Sequence, residues 1–470
     1  MPPTRPLLSA LWSLLPLTAA LAAPPALAEA GWGDLNRAVI DGHIVPRYRL
    51  LEQSARTLEH RLARLCEAPT ETALAQSRAG FRAALDAWSG ISHIRFGPVE
   101  TDRRWFRFQL WPDKRGTGQR QVRQLLVAAD SARLAPDAFA SESVAVQGLT
   151  ALEHLLFPES EVGVADFAAA GVPSFRCRFA QAIGANLSAM AAATLADWTL
   201  GERPYRSVLL DPAPAPQAGA GGRAQAASQA ATQAAPQPGL GDARAVSAEL
   251  LKTLSTGAQV IHQQRLLEPL GGSGEQANPR KAESWRSRRS LANVCTALRA
   301  LGHLYETGFA TILRESGDSA QTERGLALTF AAAIDTCLSL PEDALDGPAG
   351  PRAPGDGPGE IGDEVAGEAP GKGVAGPATG ASAQSPEPGS GPSPATGSES
   401  PAPGPAAESA EPPPWAAGAE EPEPAQAESA RQREALGQLL DLAGALQSRT
   451  GRRLAEELDL MLGFNSLDGD

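Results

Sequence analysis

Apolar positions recur along most of the chain at alternating spacings of three and four, the period of one face of an α-helix. Leu51, Ala55, Leu58, Leu62 and Leu65 form one such stripe. Leu74, Ser77, Phe81, Leu85, Trp88 and Ile91 form a second after a break at Pro69-Thr70, where the Thr70 hydroxyl is placed to cap the new helix. Val144, Leu152, Leu155 and Leu156 mark a helix apolar on most sides and hence central; Phe175, Phe179, Ile183, Leu187, Met190 and Trp198 mark another. Further helices are expected over 246–267, 287–305, 326–340 and 433–461. No run of alternating β-branched residues is long enough for a sheet. The pattern predicts an all-α fold of two packed helix bundles. One irregular segment, rich in aromatics and arginine, interrupts it from Phe96-Gly97-Pro98 to Trp111-Pro112-Asp113.

Two stretches lack the pattern altogether. Residues 212–241 are mostly Ala, Pro, Gln and Gly, and residues 347–428 are Pro, Gly, Ala, Ser and Glu with almost no large apolar side chain besides Trp415. Neither can bury enough surface to offset the entropy of ordering. The expected organisation is an N-terminal bundle over 29–210, a low-complexity linker over 211–242, and a C-terminal bundle from 243–341 and 430–470. A disordered acidic Pro/Gly-rich insertion over 342–429 divides the second bundle.

The first 28 residues read as a cleavable export signal. Arg5 precedes an apolar run from Leu7 to Ala23, and Ala26-Leu27-Ala28 fits a signal-peptidase site, so the mature chain would start at Glu29. Pro16, Pro24 and Pro25 interrupt the run, which falls short of the roughly 20 apolar residues that span a bilayer. No cysteine near the cleavage site suggests a lipid-modified N-terminus, and no later segment was expected to cross a membrane. The expected location is a bacterial periplasm.

Charge adds little. The net charge is −13, and residues 342–428 hold 16 acidic side chains against Arg352 and Lys372. The acidity therefore belongs to the insertion, and the rest of the chain carries no basic field for nucleic acid. The insertion's spaced carboxylates suit a tether to an envelope partner better than a rigid metal site. Export permits disulfides; Cys66–Cys177 and Cys295–Cys337 are the preferred pairs because two cysteines fall in each half, with buried free thiols as the alternative. The spacing does not suit a structural zinc site.

No G-x-S-x-G, H-E-x-x-H or phosphate loop is present. His43, His60, His93, His154, His262 and His303 are scattered, and only Glu153-His154 pairs a histidine with a carboxylate in the central helix. Neighbouring residues on a helix point about 100° apart and do not readily share one metal. Basic residues gather twice: Arg280, Lys281, Arg286, Arg288 and Arg289 around Ser284, Ser287 and Ser290 at an expected helix start, and Arg103, Arg104 and Arg107 in the irregular segment.

Gly148-Leu149-Thr150-Ala151-Leu152-Glu153, followed by Leu155-Leu156-Phe157, resembles the G-x-H-x-x-E motif of the imelysin family, also classed as peptidase M75. Ala87-Trp88, Phe96-Gly97-Pro98-Val99 and Trp111-Pro112 resemble that family's A-W, F-G-P and W-P landmarks in order; Glu283-Ser284-Trp285-Arg286-Ser287 resembles its serine-rich helix start, and 463–470 one subgroup's ending. The resemblance implies a two-bundle helical fold in the cell envelope, linked to iron uptake. It also implies a motif site at Gly148, Thr150 and Glu153, with threonine where the family has histidine. A hydroxyl is a poor ligand for a divalent transition metal. Glu153 and His93 are the candidate ligands for iron or another divalent ion.

The function expected on this basis is binding, in iron or metal homeostasis. The two basic clusters would flank a cleft between the bundles, where Ser284, Ser287, Arg286, Arg289, Arg104 and Arg107 bind an anionic small molecule or metal chelate. The alternatives are an M75-type metallopeptidase with an altered centre and a non-catalytic structural envelope protein.

Overall fold

The structure, a computed structural model, describes residues 29–158, 162–169, 172–211, 241–272, 276–315, 319–346 and 424–463. The expected leader, nearly all of the linker and insertion, and the motif-like ending after Gly463 lie outside the described residues.

Helix α1 (Glu29–Val39) runs through a π-helical segment, Ile40–Ile44, into α2 (Val45–Glu67). The stripe read from Leu51 to Leu65 is fully buried on α2. It faces α3 (Glu71–Ser89), which opens as expected with Thr70 Oγ1 accepting from Ala73 N at 3.1 Å. Two further helices, α4 (Thr117–Ala128) and the short central α5 (Leu149–Leu156), lead to the long α6 (Phe175–Thr199), which packs along α2.

Helix α6 corrects the sequence reading in one respect. By length and apolar composition it could cross a membrane, because alanines fill its outer positions. Its apolar stripe is instead committed to the core, where Phe179, Ile183 and Trp198 are inaccessible. Gly184 lets it approach α2 closely: a Cβ there would lie 2.7 Å from Leu62 Cδ1.

The second half is built from α7 (Ala243–Gln259), extended by a π-helical segment Val260–Leu267, then α8 (Ser290–Thr307), α9 (Ala320–Ser339) and α10 (Pro424–Ser448). Helix α8 begins at Ser290, three residues later than expected. Ser284 and Arg288 take positive φ values of 57° and 55°, so the serine- and arginine-rich stretch before it is a turn. A short helix, Phe309–Glu315, also lies between the helices expected over 287–305 and 326–340.

The described residues of the two bundles, from Glu29 to Asp346 and from Ser429 to Gly463, pack into one compact unit with a continuous apolar core. Helix α1 crosses to the second half: Asn36 Nδ2 donates to Ala243 O at 2.7 Å, and Ser247 Oγ donates to Asn36 Oδ1 at 2.7 Å. Among the described residues the only strand pairing is a two-residue antiparallel ladder, Ala168–Ala169 with Val172–Pro173. Disulfides join Cys66 of α2 to Cys177 of α6 and Cys295 of α8 to Cys337 of α9, the two pairings preferred from the sequence.

Candidate ligand cleft between the two halves

Gly148 fixes where the central helix starts. It packs so tightly on the irregular segment that a Cβ would lie 2.4 Å from Arg107 O and 2.6 Å from Phe108 O. Only glycine permits that approach. One residue into α5, the Thr150 hydroxyl donates to Leu110 O at 3.0 Å. The motif threonine thus ties the helix to the strand-like run before Trp111. Gly97 has a parallel role in the Phe96-Gly97-Pro98 landmark: its φ is +71°, and a Cβ would strike the Tyr205 ring at 2.4 Å.

On the next turn of α5, Glu153 is buried and reaches across to the second half. Its Oε1 accepts from Ser287 N at 2.8 Å and from Ser287 Oγ at 2.6 Å. Burial raises its pKa; the two Ser287 bonds and Arg286 oppose the shift, and Glu283 adds to it. His154 is half-buried beside it, and burial, with Arg286 and Arg123, pushes its pKa down to about 3, so the imidazole is neutral.

These residues line a cleft of about 620 Å³ between the halves. One wall is α5 with Trp111 and Lys114; the other is the turn carrying Arg280, Lys281, Trp285 and Arg286. Two guanidinium groups sit over the Trp285 ring, Arg286 at 4.3 Å and Arg280 at 5.6 Å from its centroid. Asp113, also in the lining, is spent at the start of α4, where it accepts from Thr117 N at 2.8 Å and Gly118 N at 2.7 Å.

The predicted basic sites separate. Arg286 and Ser284 line the cleft and Ser287 braces Glu153, but Arg104, Arg107 and Arg289 point elsewhere. Arg104 pairs with Asp197 at 2.6 Å. Arg107 donates to Gln147 Oε1 and Asn186 Oδ1. Arg289 pairs with Asp86 at 2.6 Å and with Glu342 at 3.2 Å. The cause is backbone geometry: Asp102 and Arg103 turn the chain through the left-handed region, with φ of 52° and 57°, and swing the following arginines onto the first bundle. Lys281, a member of the expected cluster, and Lys114, which lies outside both expected clusters, add further positive charge to the lining.

His93 does not meet Glu153. It belongs to a histidine chain missed in the sequence, which runs from the buried pair His43 and His93 to the exposed His303: His43 Nε2 lies 2.8 Å from His93 Nε2, and His43 Nδ1 lies 3.0 Å from His303 Nδ1. The available signal was the setting of His43 and His93, each next to isoleucines on an apolar face.

A family model described as Imelysin (Peptidase_M75) matches residues 44–353, more than half of the chain. The chain belongs to the imelysin family. In fold, this imelysin is similar to an imelysin-like protein from Psychrobacter arcticum, with a TM-score of 0.59 at 14% identity, covering 93% of this chain and 98% of that one. It is also similar to a protein from Parabacteroides distasonis described as a "putative iron-regulated protein A precursor", with a TM-score of 0.52 at 12% identity, covering 69% and 89%. No curated protein matches it in sequence.

The motif of this imelysin does not fit a resident metal. The Thr150 hydroxyl is turned onto a carbonyl, and Glu153 Oε1 is held by Ser287. Among the described residues no three His, Cys, Asp or Glu side chains are arranged to hold a metal ion. A divalent transition metal needs three or four such donors.

The elevated Glu153 pKa has a measurable consequence. The folded chain holds that proton more tightly than the unfolded one, so stability falls as pH rises through the window above the unfolded value. Glu153→Gln keeps an Oε1 acceptor for Ser287 and removes the ionisation. Its urea midpoint is expected to gain on the parent's as pH rises above the ordinary carboxylate range. A gap that stays constant or closes contradicts this account.

Proposed function

We propose that this imelysin is an exported binding protein that holds an anionic small molecule, a carboxylate-rich metal chelate, between its halves and serves iron or other metal homeostasis. The observation that carries the reading is the wall of the cleft. Arg280 and Arg286 over Trp285, with Lys281 and Lys114, face a space of about 620 Å³. Guanidinium groups oriented on an aromatic ring match carboxylates in planar pairs. The volume suits a small molecule. Neutral His154 and Glu153, braced by Ser287, close the opposite side. Metal enters this reading as cargo inside the chelate, which agrees with a motif that lacks a ligand set of its own.

Export to a periplasm is supported by the leader pattern ending at Ala26-Leu27-Ala28 and by two disulfides, which persist in oxidising compartments. The precursor named among the structural neighbours is consistent with it.

Titration calorimetry with ferric citrate, and with citrate alone, tests the reading. The mature chain is expected to bind, and Arg286→Ala to weaken binding about tenfold or more, as loss of a charged hydrogen-bond donor does. No binding by the parent, or equal binding by the variant, overturns it. Peptide cleavage that is lost in Glu153→Gln would favour an M75-type peptidase instead.

A further inference from the structure

A second concave site between the halves shares no lining residue with the cleft. It is a groove of about 530 Å³, walled by α2 and α3 of the first half and by α8 and the end of α9 of the second. Each of the four helices contributes aliphatic side chains to the wall. Leu50 of α2 and Leu338 of α9 line it while 51% and 55% exposed. Exposed apolar side chains gathered in a concave, polar-rimmed surface mark sites for a ligand or partner. The Cys295–Cys337 disulfide is part of the same wall and holds α8 against α9 there.

The charged residues in the wall fall into two groups. Arg289 is neutralised by Asp86 and Glu342, the two acids of the lining. Arg47 is not. It is half-buried, and among the described residues its side chain makes one hydrogen bond, from Nε to His43 Nδ1 at 3.2 Å. Burial lowers its pKa, and no acid opposes the shift. A guanidinium carries five N–H donors, so with Nε engaged both Nη groups are left without a partner. Gly90, also in the lining, locates the head: a Cβ there would lie 3.1 Å from Arg47 Nη1. Arg299 of α8 is exposed at the groove and forms no ion pair among the described residues. Three guanidinium groups against two carboxylates leave one positive charge in excess.

Shape and wall chemistry select the occupant. A carboxylate-rich chelate of the kind proposed for the cleft would bring several negative charges to a wall with one positive charge to spare. An extended peptide draws its affinity from main-chain hydrogen bonds at a sheet edge, and these walls are helices. Two turns of a helix roughly 10 Å across exceed the volume of the groove. One apolar chain that ends in one negative head satisfies both the leucines and Arg47.

We propose that this groove binds a single-chain fatty acid, with its carboxylate on the Arg47 Nη groups beside Arg299 and its acyl chain against Leu50 and Leu338. A planar guanidinium presents paired N–H groups to the two oxygens of a carboxylate. The site is independent of the chelate cleft and stands or falls separately from it.

Titration calorimetry of the mature chain with sodium decanoate, and with 1-decanol as the uncharged control, tests the proposal. One decanoate is expected to bind per chain, about tenfold or more tightly than decanol. Arg47→Gln is expected to weaken decanoate binding about tenfold or more, as loss of a charged hydrogen-bond donor does. Leu338→Asp changes an exposed position and is expected to weaken decanoate as much while binding ferric citrate as the parent does. No decanoate binding by the parent overturns the proposal, and so does equal binding by Leu338→Asp. Decanol bound as tightly as decanoate overturns it too, because the charged head would then play no part. A parent dimer that Leu338→Asp converts to a monomer, with no decanoate bound by either, overturns it in favour of a second copy of the chain.

Discussion

Removing the Cys66–Cys177 bridge is expected to destabilise the protein by about 5 kcal/mol, since the bridge closes a loop of 111 residues in the unfolded chain. It joins α2 to α6, the pair that carries most of the first bundle's core. Cys295–Cys337 closes 42 residues, and the same chain-entropy reasoning gives about 4 kcal/mol. Urea denaturation of Cys66→Ala/Cys177→Ala and of Cys295→Ala/Cys337→Ala checks both, with the larger loss in the first. Midpoints equal to the parent's would show that the bridges do not constrain the unfolded chain. A domain that relies on two such bridges folds fully only where thiols are oxidised.

Acidification is the second large effect. His43, His93 and His154 are held neutral mainly by burial, with neighbouring histidines or arginines adding to the shift. A histidine whose folded pKa is depressed gives stability that is present above the unfolded value, near 6.5, and is lost as pH falls below it. From about pH 7.5 to about pH 5 each costs about 2 kcal/mol, about 6 kcal/mol together. Asp346 works against them: burial pushes it up to about 7, so it gains stability over the same range and returns about 2 kcal/mol. Glu153, whose pKa burial also raises, works in the same direction as Asp346, so the expected net loss is below about 4 kcal/mol. Urea midpoints across this range measure it, and His154→Gln should remove about 2 kcal/mol of the loss. A pH-independent midpoint would mean that these histidines are protonated or solvated in the native state.

The helices were legible because their periodicity is local. The stripe on α2 and the Thr70 cap lie within a few turns of one another, and packing only had to bury what the pattern already offered. Gly148 was legible as a landmark, although its reason, contact with the Arg107 and Phe108 carbonyls, was not. The site divided along the same line. Arg286 and Ser284 belong to the cleft, but Arg104 and Arg107 were grouped with it only by nearness in sequence, and two left-handed residues before them turn them away. The Glu153–Ser287 contact spans 134 positions and the His43–His303 contact 260, and nothing in a spacing pattern links such pairs. The late start of α8 depended on Ser284 and Arg288 adopting φ values that their residue types do not announce.

The central claim is that an anionic chelate lies between the halves, against Trp285 and Arg286. Anomalous diffraction at the iron edge, from crystals soaked in ferric citrate, tests it most directly. An iron peak is expected in the cleft between the Trp285–Arg286 wall and the Glu153–His154 turn of α5, and it should be absent from Arg286→Ala crystals soaked in the same way. A peak elsewhere on the molecule, or none at saturating ferric citrate, would contradict the account.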